Sequence, residues 1–269
     1  MTLKSQRPVA EFIKTCHELA DATAKVVIPH FRQPMVVENK ADDAAFDPVT
    51  VADRSAEQEL RRLIAKAWPD HGVAGEEHPD TGADADYQWV LDPIDGTRSF
   101  IMGLPTWGTL IGLTHKGTPV VGMMAQPFTQ ERFWADDEAA YMVDATANPE
   151  TRLKTRSCPT LSDAILTTTH PDMFATAHDR NMFDQVSSKV RMTRFGGDCY
   201  QYCMLAAGFV DIVIESDLQP YDVMALIPIV ERAGGRITTW TGEPATTGGQ
   251  IVAVGDAKRH DEVLRLLNE

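Results

Sequence analysis

Trp89-Val90-Leu91-Asp92-Pro93-Ile94-Asp95-Gly96-Thr97 decides how this chain is read. A short apolar run with the character of a buried strand stops at two carboxylates, with only Pro93 and Ile94 between them. Gly96 and Thr97 follow at once. Glycine lets a backbone come close to a ligand, and successive amides in such a turn can point at an anion. Carboxylates suited to a hard cation, beside amides suited to a phosphate, are the parts of metal-assisted phosphoester chemistry.

Working outward, the chain has 269 residues, 43% of them hydrophobic and 24% charged, enough for one large core or two closely packed halves. Its net charge of −14 disfavours polyanions, so neither nucleic acid nor an anionic membrane is an expected partner. No apolar run approaches the roughly 18 residues of a membrane span. The first residues, Met-Thr-Leu-Lys-Ser-Gln-Arg-Pro, lack the apolar centre of a signal peptide, so a cytoplasmic location is expected. Cys16, Cys158, Cys199 and Cys203 form no C-x-x-C pair and read as reduced, packed thiols.

Apolar residues at helical spacing from Val9 to Val26 predict an amphipathic helix, and a polar connection over 36–50 follows it. A second helix is expected from near Asp53 to Pro69, with Asp53 a natural cap and Thr50 a second polar group at its entry. His71–Glu77 reads as a short strand ending in a glycine turn and two acids. Segments 107–115, 120–127, 132–135 and 140–143 read as an antiparallel meander. The polar, proline-bearing stretch 144–160 suggests two halves, 1–144 and 145–269. Strands then alternate with helices: strands at 164–169, 190–195, 210–215, 236–240 and 251–254, helices at 173–189, 199–207, 223–233 and 257–267.

Acids at Glu76, Asp92, Asp95 and Asp222 stand at the ends of apolar runs, where α/β sheets place their ligands. Gathered without a cation they would raise one another's pKa and weaken the fold, so together they make sense around metal. An EF-hand is excluded because the twelfth position from Asp92 is Gly103. An aspartyl-phosphate enzyme would carry its two acids at i and i+2, whereas these are at i and i+3. There is no G-x-x-x-x-G-K-[ST] loop and no G-x-S-x-G elbow.

In order and spacing, Gly75-Glu76-Glu77, Asp92-Pro-Ile-Asp95-Gly96-Thr97 and Tyr221-Asp222-Val-Met-Ala225 resemble three motifs of the inositol monophosphatase superfamily. Asp47-Pro-Val-Thr50-Val-Ala-Asp53 resembles a fourth, and Tyr221 replaces the usual Trp of the last motif while keeping an aromatic wall. The resemblance implies a layered αβαβα sandwich of the sugar-phosphatase type, an α/β (α+β) fold. It also implies a Mg2+ phosphatase with two to three ions and no covalent intermediate. Glu76, Asp92 and the Ile94 carbonyl would hold the first ion, and Asp92, Asp95 and Asp222 the second. A third, weaker ion would lean on Glu76. Thr97 and Asp53 would orient and deprotonate the attacking water, the Gly96 and Thr97 amides would receive phosphate oxygens, and Lys40 would assist electrostatically. A homodimer is the expected assembly.

Phe195-Gly196-Gly197-Asp198-Cys199-Tyr200, the Gly103–Thr109 segment and Pro220-Tyr221-Asp222 resemble the histidinol-phosphate phosphatase branch. A carboxylate at Asp198 suits a cationic substrate, where a polyol would want a small neutral residue, and Asp198 could equally cap the helix at Cys199. Glu215 is a second expected substrate-facing acid. Trp107 and His170 read either as pocket walls or as a core side chain and a surface residue. The substrate expected on this resemblance is L-histidinol phosphate, with inositol-1-phosphate or another sugar phosphate as the same-class alternative. A catalytically silent cation-binding protein is the alternative of a different class, and Thr97 and Asp53 argue against it, since cation binding alone needs neither.

Overall fold

The structure is a computed structural model describing residues 9–34, 36–39, 48–146 and 150–269; Lys40 and Asp47 lie outside the described residues. The first apolar stripe makes helix α1 (Val9–Val27), burying Phe12, Cys16, Leu19 and Ala20 on one face. A short antiparallel pair, β1 (Glu38–Asn39) and β2 (Pro48–Val49), leads into α2 (Val51–Ala67). Thr50, not Asp53, is the N-cap of α2.

There follow β3 (Gly72–Gly75), β4 (Tyr87–Asp95), the short helix α3 (Thr97–Met102), β5 (Gly108–His115), β6 (Thr118–Gln126), β7 (Glu131–Ala135), β8 (Ala140–Val143) and β9 (Thr151–Arg152). Strands β3 to β9 form one sheet in chain order. The β3–β4 pair is parallel and every later pair antiparallel, as hairpin-length connections require.

The chain continues with β10 (Ile165–Thr168), α4 (Ala177–Ser187), β11 (Met192–Phe195), α5 (Asp198–Ala206), β12 (Ile212–Leu218), α6 (Pro220–Val223), α7 (Leu226–Arg232), β13 (Arg236–Thr239), β14 (Gly249–Val254) and α8 (Ala257–Leu266). These strands make a mixed sheet ordered β11-β10-β12-β14-β13. Two expected helices are corrected. The one over 173–189 starts only at Ala177, because Pro171–Met173 forms a separate 3-10 turn. The one over 223–233 is broken into α6 and α7. Pro228 has no N–H to give the Met224 carbonyl, so a continuous ladder cannot pass through the junction.

The layers stack as α1 and α2, the seven-stranded sheet, α5 and α7, the five-stranded sheet, and α4 and α8, which is the αβαβα sandwich. Phe12, Leu60, Trp89 and Ile111 fill the outer side of the first sheet. Leu110, Phe133, Tyr202, Val213 and Leu226 form a core common to both sheets. Strand β4 is buried on both faces for this reason, which explains its unbroken apolar run. All four cysteines are free and buried. No helix among the described residues is long and apolar enough to cross a membrane.

Candidate active site

Along a regular strand, residues i and i+3 face opposite sides. Asp92 and Asp95 share a side because β4 bulges between them. Asp92 pairs with Leu110 and Asp95 with Gly108, so Pro93 and Ile94 together oppose Thr109 alone. Pro93 has no N–H to lose from the ladder, and its carbonyl accepts the Thr109 hydroxyl at 2.8 Å. Asp222 arrives from the other side of the cleft on α6, held by the Gln219 amide at 2.7 Å. One oxygen from each of Asp92, Asp95 and Asp222 lies within 4.8 Å of the others. Glu76, just after β3, is close enough that its charge raises the pKa of both Asp92 and Asp222.

Burial first, then the charges of Glu76, Asp95 and Asp222, push Asp92 well above the ordinary carboxylate range. Burial and the charges of Asp222 and Asp198 do the same to Asp95, against a hydrogen bond from Cys199. Burial brings Asp222 to about 7, opposed by its Gln219 bond and reinforced by Glu76. Such a cluster is destabilising unless cations neutralise it. The oxygens gathered here are carboxylate oxygens, which fit a hard divalent ion better than a thiophilic one.

Asp53 is the third residue of α2 and completes a capping box, its Oδ2 accepting from the Thr50 amide at 3.0 Å and the Thr50 hydroxyl at 2.5 Å. Its Oδ1 is buried with no hydrogen-bond partner. Burial raises its pKa against those bonds. Asp53 therefore anchors the helix with one oxygen and keeps the other available. Thr97 donates its only hydroxyl proton to the Ile94 carbonyl at 3.1 Å, leaving Oγ1 able only to accept from another donor. Gly96 caps α3 at a φ of 83°, and a Cβ there would lie 2.9 Å from Asp198 Cβ. The close neighbour at that glycine is Asp198.

Asp198 does not cap α5. Asp95 Oδ2 takes the Cys199 amide at 2.8 Å, while Asp198 Oδ2 accepts from Ser99 at 2.6 Å and Thr106 at 3.0 Å. Its φ of 44° is one that a non-glycine residue adopts at some cost in strain. Glu215 is buried, its Oε1 accepting from Gln201 at 2.7 Å and the Thr169 amide at 3.1 Å, its Oε2 from Tyr202 at 2.8 Å. Asp95, Asp198, Glu215 and Asp222 line one cleft of about 210 Å³ with Tyr202 and Cys199, below the roughly 300–1,000 Å³ of drug-sized pockets. Trp107 packs in the core with Phe31 and Phe100. His170 caps the 3-10 turn through the Asp172 amide.

The sequence singles out neither Ser99, which has no motif of its own, nor Thr106, which stands within the Gly103–Thr109 segment without a role assigned to it. Nor does it single out Glu57, which is buried on α2. An acid on the apolar stripe between Ala56 and Leu60, one turn before Arg61, was the available signal for Glu57.

A five-layer fold with a carboxylate cluster facing a small cleft between its sheets defines the class: layered α/β proteins that gather acids where the sheets meet. The chain belongs to the inositol monophosphatase family, whose model matches residues 9–269. Bifunctional phosphatase IMPL2 of Arabidopsis thaliana, a chloroplastic protein, is 40% identical over 274 residues, covering 98% of this chain and 77% of that protein. The histidinol-phosphatase of Mycobacterium tuberculosis is 36% identical over 221 residues, 82% of this chain and 85% of that one. An inositol monophosphatase structure from Zymomonas mobilis superposes with a TM-score of 0.86 at 39% identity, covering 98% and 100% of the two chains. The chain is thus a phosphatase of small phosphoesters, and the acidic cluster agrees with the metal dependence general in the family.

Proposed function

We propose that the chain hydrolyses L-histidinol phosphate to L-histidinol and phosphate with Mg2+, as a step of histidine biosynthesis. The observation that carries this substrate is Asp198, an acid outside the cation trio, clamped by Ser99 and Thr106 at the wall of the same cleft. Glu215 adds a second such acid. A substrate with an ammonium group and an imidazole finds charge partners there, whereas a second phosphate would meet repulsion. The likeness to the M. tuberculosis histidinol-phosphatase supports the same reading.

In this reading Glu76, Asp92, Asp95, Asp222 and the Ile94 carbonyl hold two to three Mg2+ ions. When bound, the ions acidify the attacking water and stabilise both oxygens of an in-line displacement. The free Asp53 Oδ1 takes the water's proton as the water oxygen bonds to phosphorus and the ester P–O bond breaks; the departing oxygen takes a proton from a solvent water to give the alcohol, and Asp53 returns its proton to the hydroxide left behind. Thr97 Oγ1, its own proton committed to Ile94, accepts from that water and fixes its orientation. The Gly96 and Thr97 amides receive phosphate oxygens at the start of α3. Lys40 keeps its electrostatic role in the proposal. A cytoplasmic homodimer goes with the same reading, and sedimentation velocity tests the assembly.

Phosphate release from histidinol phosphate and from inositol-1-phosphate, compared for wild type and Asp198→Ala, tests the substrate. Strong preference for histidinol phosphate, erased by the substitution, is the expected result. Equal or better use of inositol-1-phosphate would favour the broader sugar-phosphatase reading, which the likeness to the Z. mobilis protein supports.

A further inference from the structure

Glu57 is fully buried, yet it is not one of the acids expected to touch cations. Its Oε2 accepts the Glu77 amide at 2.7 Å, and its Oε1 accepts the His78 amide at 3.2 Å. Arg61, one turn on, donates Nε to Oε1 at 2.7 Å and an Nη to the His78 carbonyl at 2.9 Å. On the other side of Glu76, a Cβ on Gly75 would lie 2.5 Å from Glu57 Oε1, so the end of β3 is pressed against the same carboxylate. Glu76 is thus pinned before and after by one side chain. That side chain sits a turn beyond Asp53 on α2.

We propose that Glu57 is a positioning residue for the cation site, with Arg61 as its counter-charge. It fixes the 75–78 turn so that Glu76 faces Asp92 and Asp222, while Glu77 turns toward Arg54, 3.9 Å away. A carboxylate is required because three donors converge on it: two amides and a guanidinium. Glutamine would oppose an NH2 to one of them and leave the Arg61 charge unmatched at the turn that carries Glu76. The rigid turn of helix between Asp53 and Glu57 also sets Asp53 and Glu76 at a fixed separation. The inference rests on the reading of Glu76 as a cation ligand.

The test is Mn2+ binding to the whole chain without substrate, followed by the electron paramagnetic resonance signal of the free ion, for wild type, Glu57→Gln and Glu76→Gln. Outer partners of cation ligands are worth about 10–100-fold in metal affinity, so Glu57→Gln should weaken binding at least tenfold, in the direction of Glu76→Gln. Melting in excess chelator is measured alongside. A purely structural Glu57 would lower the metal-free melting temperature and leave the Mn2+ affinity of the folded chain within twofold of wild type, and that overturns the proposal. Unchanged affinity in Glu76→Gln overturns the ligand reading and the proposal with it. Should Glu57→Gln not fold, Arg61→Met removes one donor each from Glu57 and the His78 carbonyl. It should weaken Mn2+ binding several-fold, and wild-type affinity there again overturns the proposal.

Discussion

At the scale of single residues, the site acids divide their oxygens between structure and chemistry. Asp53 gives Oδ2 to a helix cap and keeps Oδ1 free. Asp95 gives Oδ2 to the first amide beyond Asp198. Glu215 is engaged on both oxygens, and burial lifts its pKa from 4.5 to about 7 against hydrogen bonds from Thr169 and Tyr202. The native state therefore holds that proton more tightly than the unfolded chain. The resulting stability is complete below pH about 4.5 and is lost as pH rises through about 7, on the order of 3 kcal/mol in all. Urea denaturation of the metal-free chain at about pH 5 and about pH 8 should show this loss together with that of Asp92, Asp95 and Asp222, whose pKa values are raised too, and Glu215→Gln should reduce it by the Glu215 share. An unchanged pH slope in the variant would mean that Glu215 does not carry the proton. These double roles were only half legible in sequence: Asp53 could be read as a cap or as a base, and only the geometry separates its two oxygens, Oδ2 in the capping box headed by Thr50 and Oδ1 without a partner.

At the scale of elements, Gly112 and Gly122 face each other across β5 and β6 and make a smooth floor under the α6–α7 junction. A Cβ on Gly122 would land on the Ala225 carbonyl oxygen, and one on Gly112 would lie 3.2 Å from the Ala225 amide. The close approach lets α6 bring Asp222 down onto the sheet that carries Asp92 and Asp95. Gly122→Ala should therefore cost about 1–3 kcal/mol or more, since neither backbone can yield cheaply. It should also weaken cation binding by moving Asp222. Chemical denaturation and Mn2+ titration check the two effects; wild-type values for both would show that the junction has room to shift. Neither glycine carries a sequence signal, because what each meets is over a hundred residues away in the chain. The β4 bulge is similar: the spacing of Asp92 and Asp95 was plain, but their sharing a side depends on the register with β5.

At the scale of the whole molecule, the site is an interface between two sheets. The first supplies Asp92 and Asp95, the second half supplies Asp198, Glu215 and Asp222, and the charges meet across the cleft. Cations that bind only the assembled site stabilise the fold by linkage, about 2.7 kcal/mol per site at a hundredfold excess over Kd. Chelation should accordingly lower the melting temperature at neutral pH, and added Mg2+ should restore it. Asp95→Asn should reduce this Mg2+-dependent rise and abolish most phosphate release while the metal-free fold persists. A full Mg2+ response together with unchanged turnover would remove Asp95 from the site.

Local pattern alone determined the α1 stripe, the meander, the αβ alternation of the second half and the acids at strand ends. It could do so because periodicity and turn residues act within a few positions of one another. The motif likeness added the family fold. The tertiary structure decided which acids converge, that Asp95 rather than Asp198 holds the start of α5, and that Glu57 clamps the turn carrying Glu76. Those outcomes depend on register, on close backbone approach and on hydrogen bonds between segments distant in the chain, none of which leaves a period in the sequence.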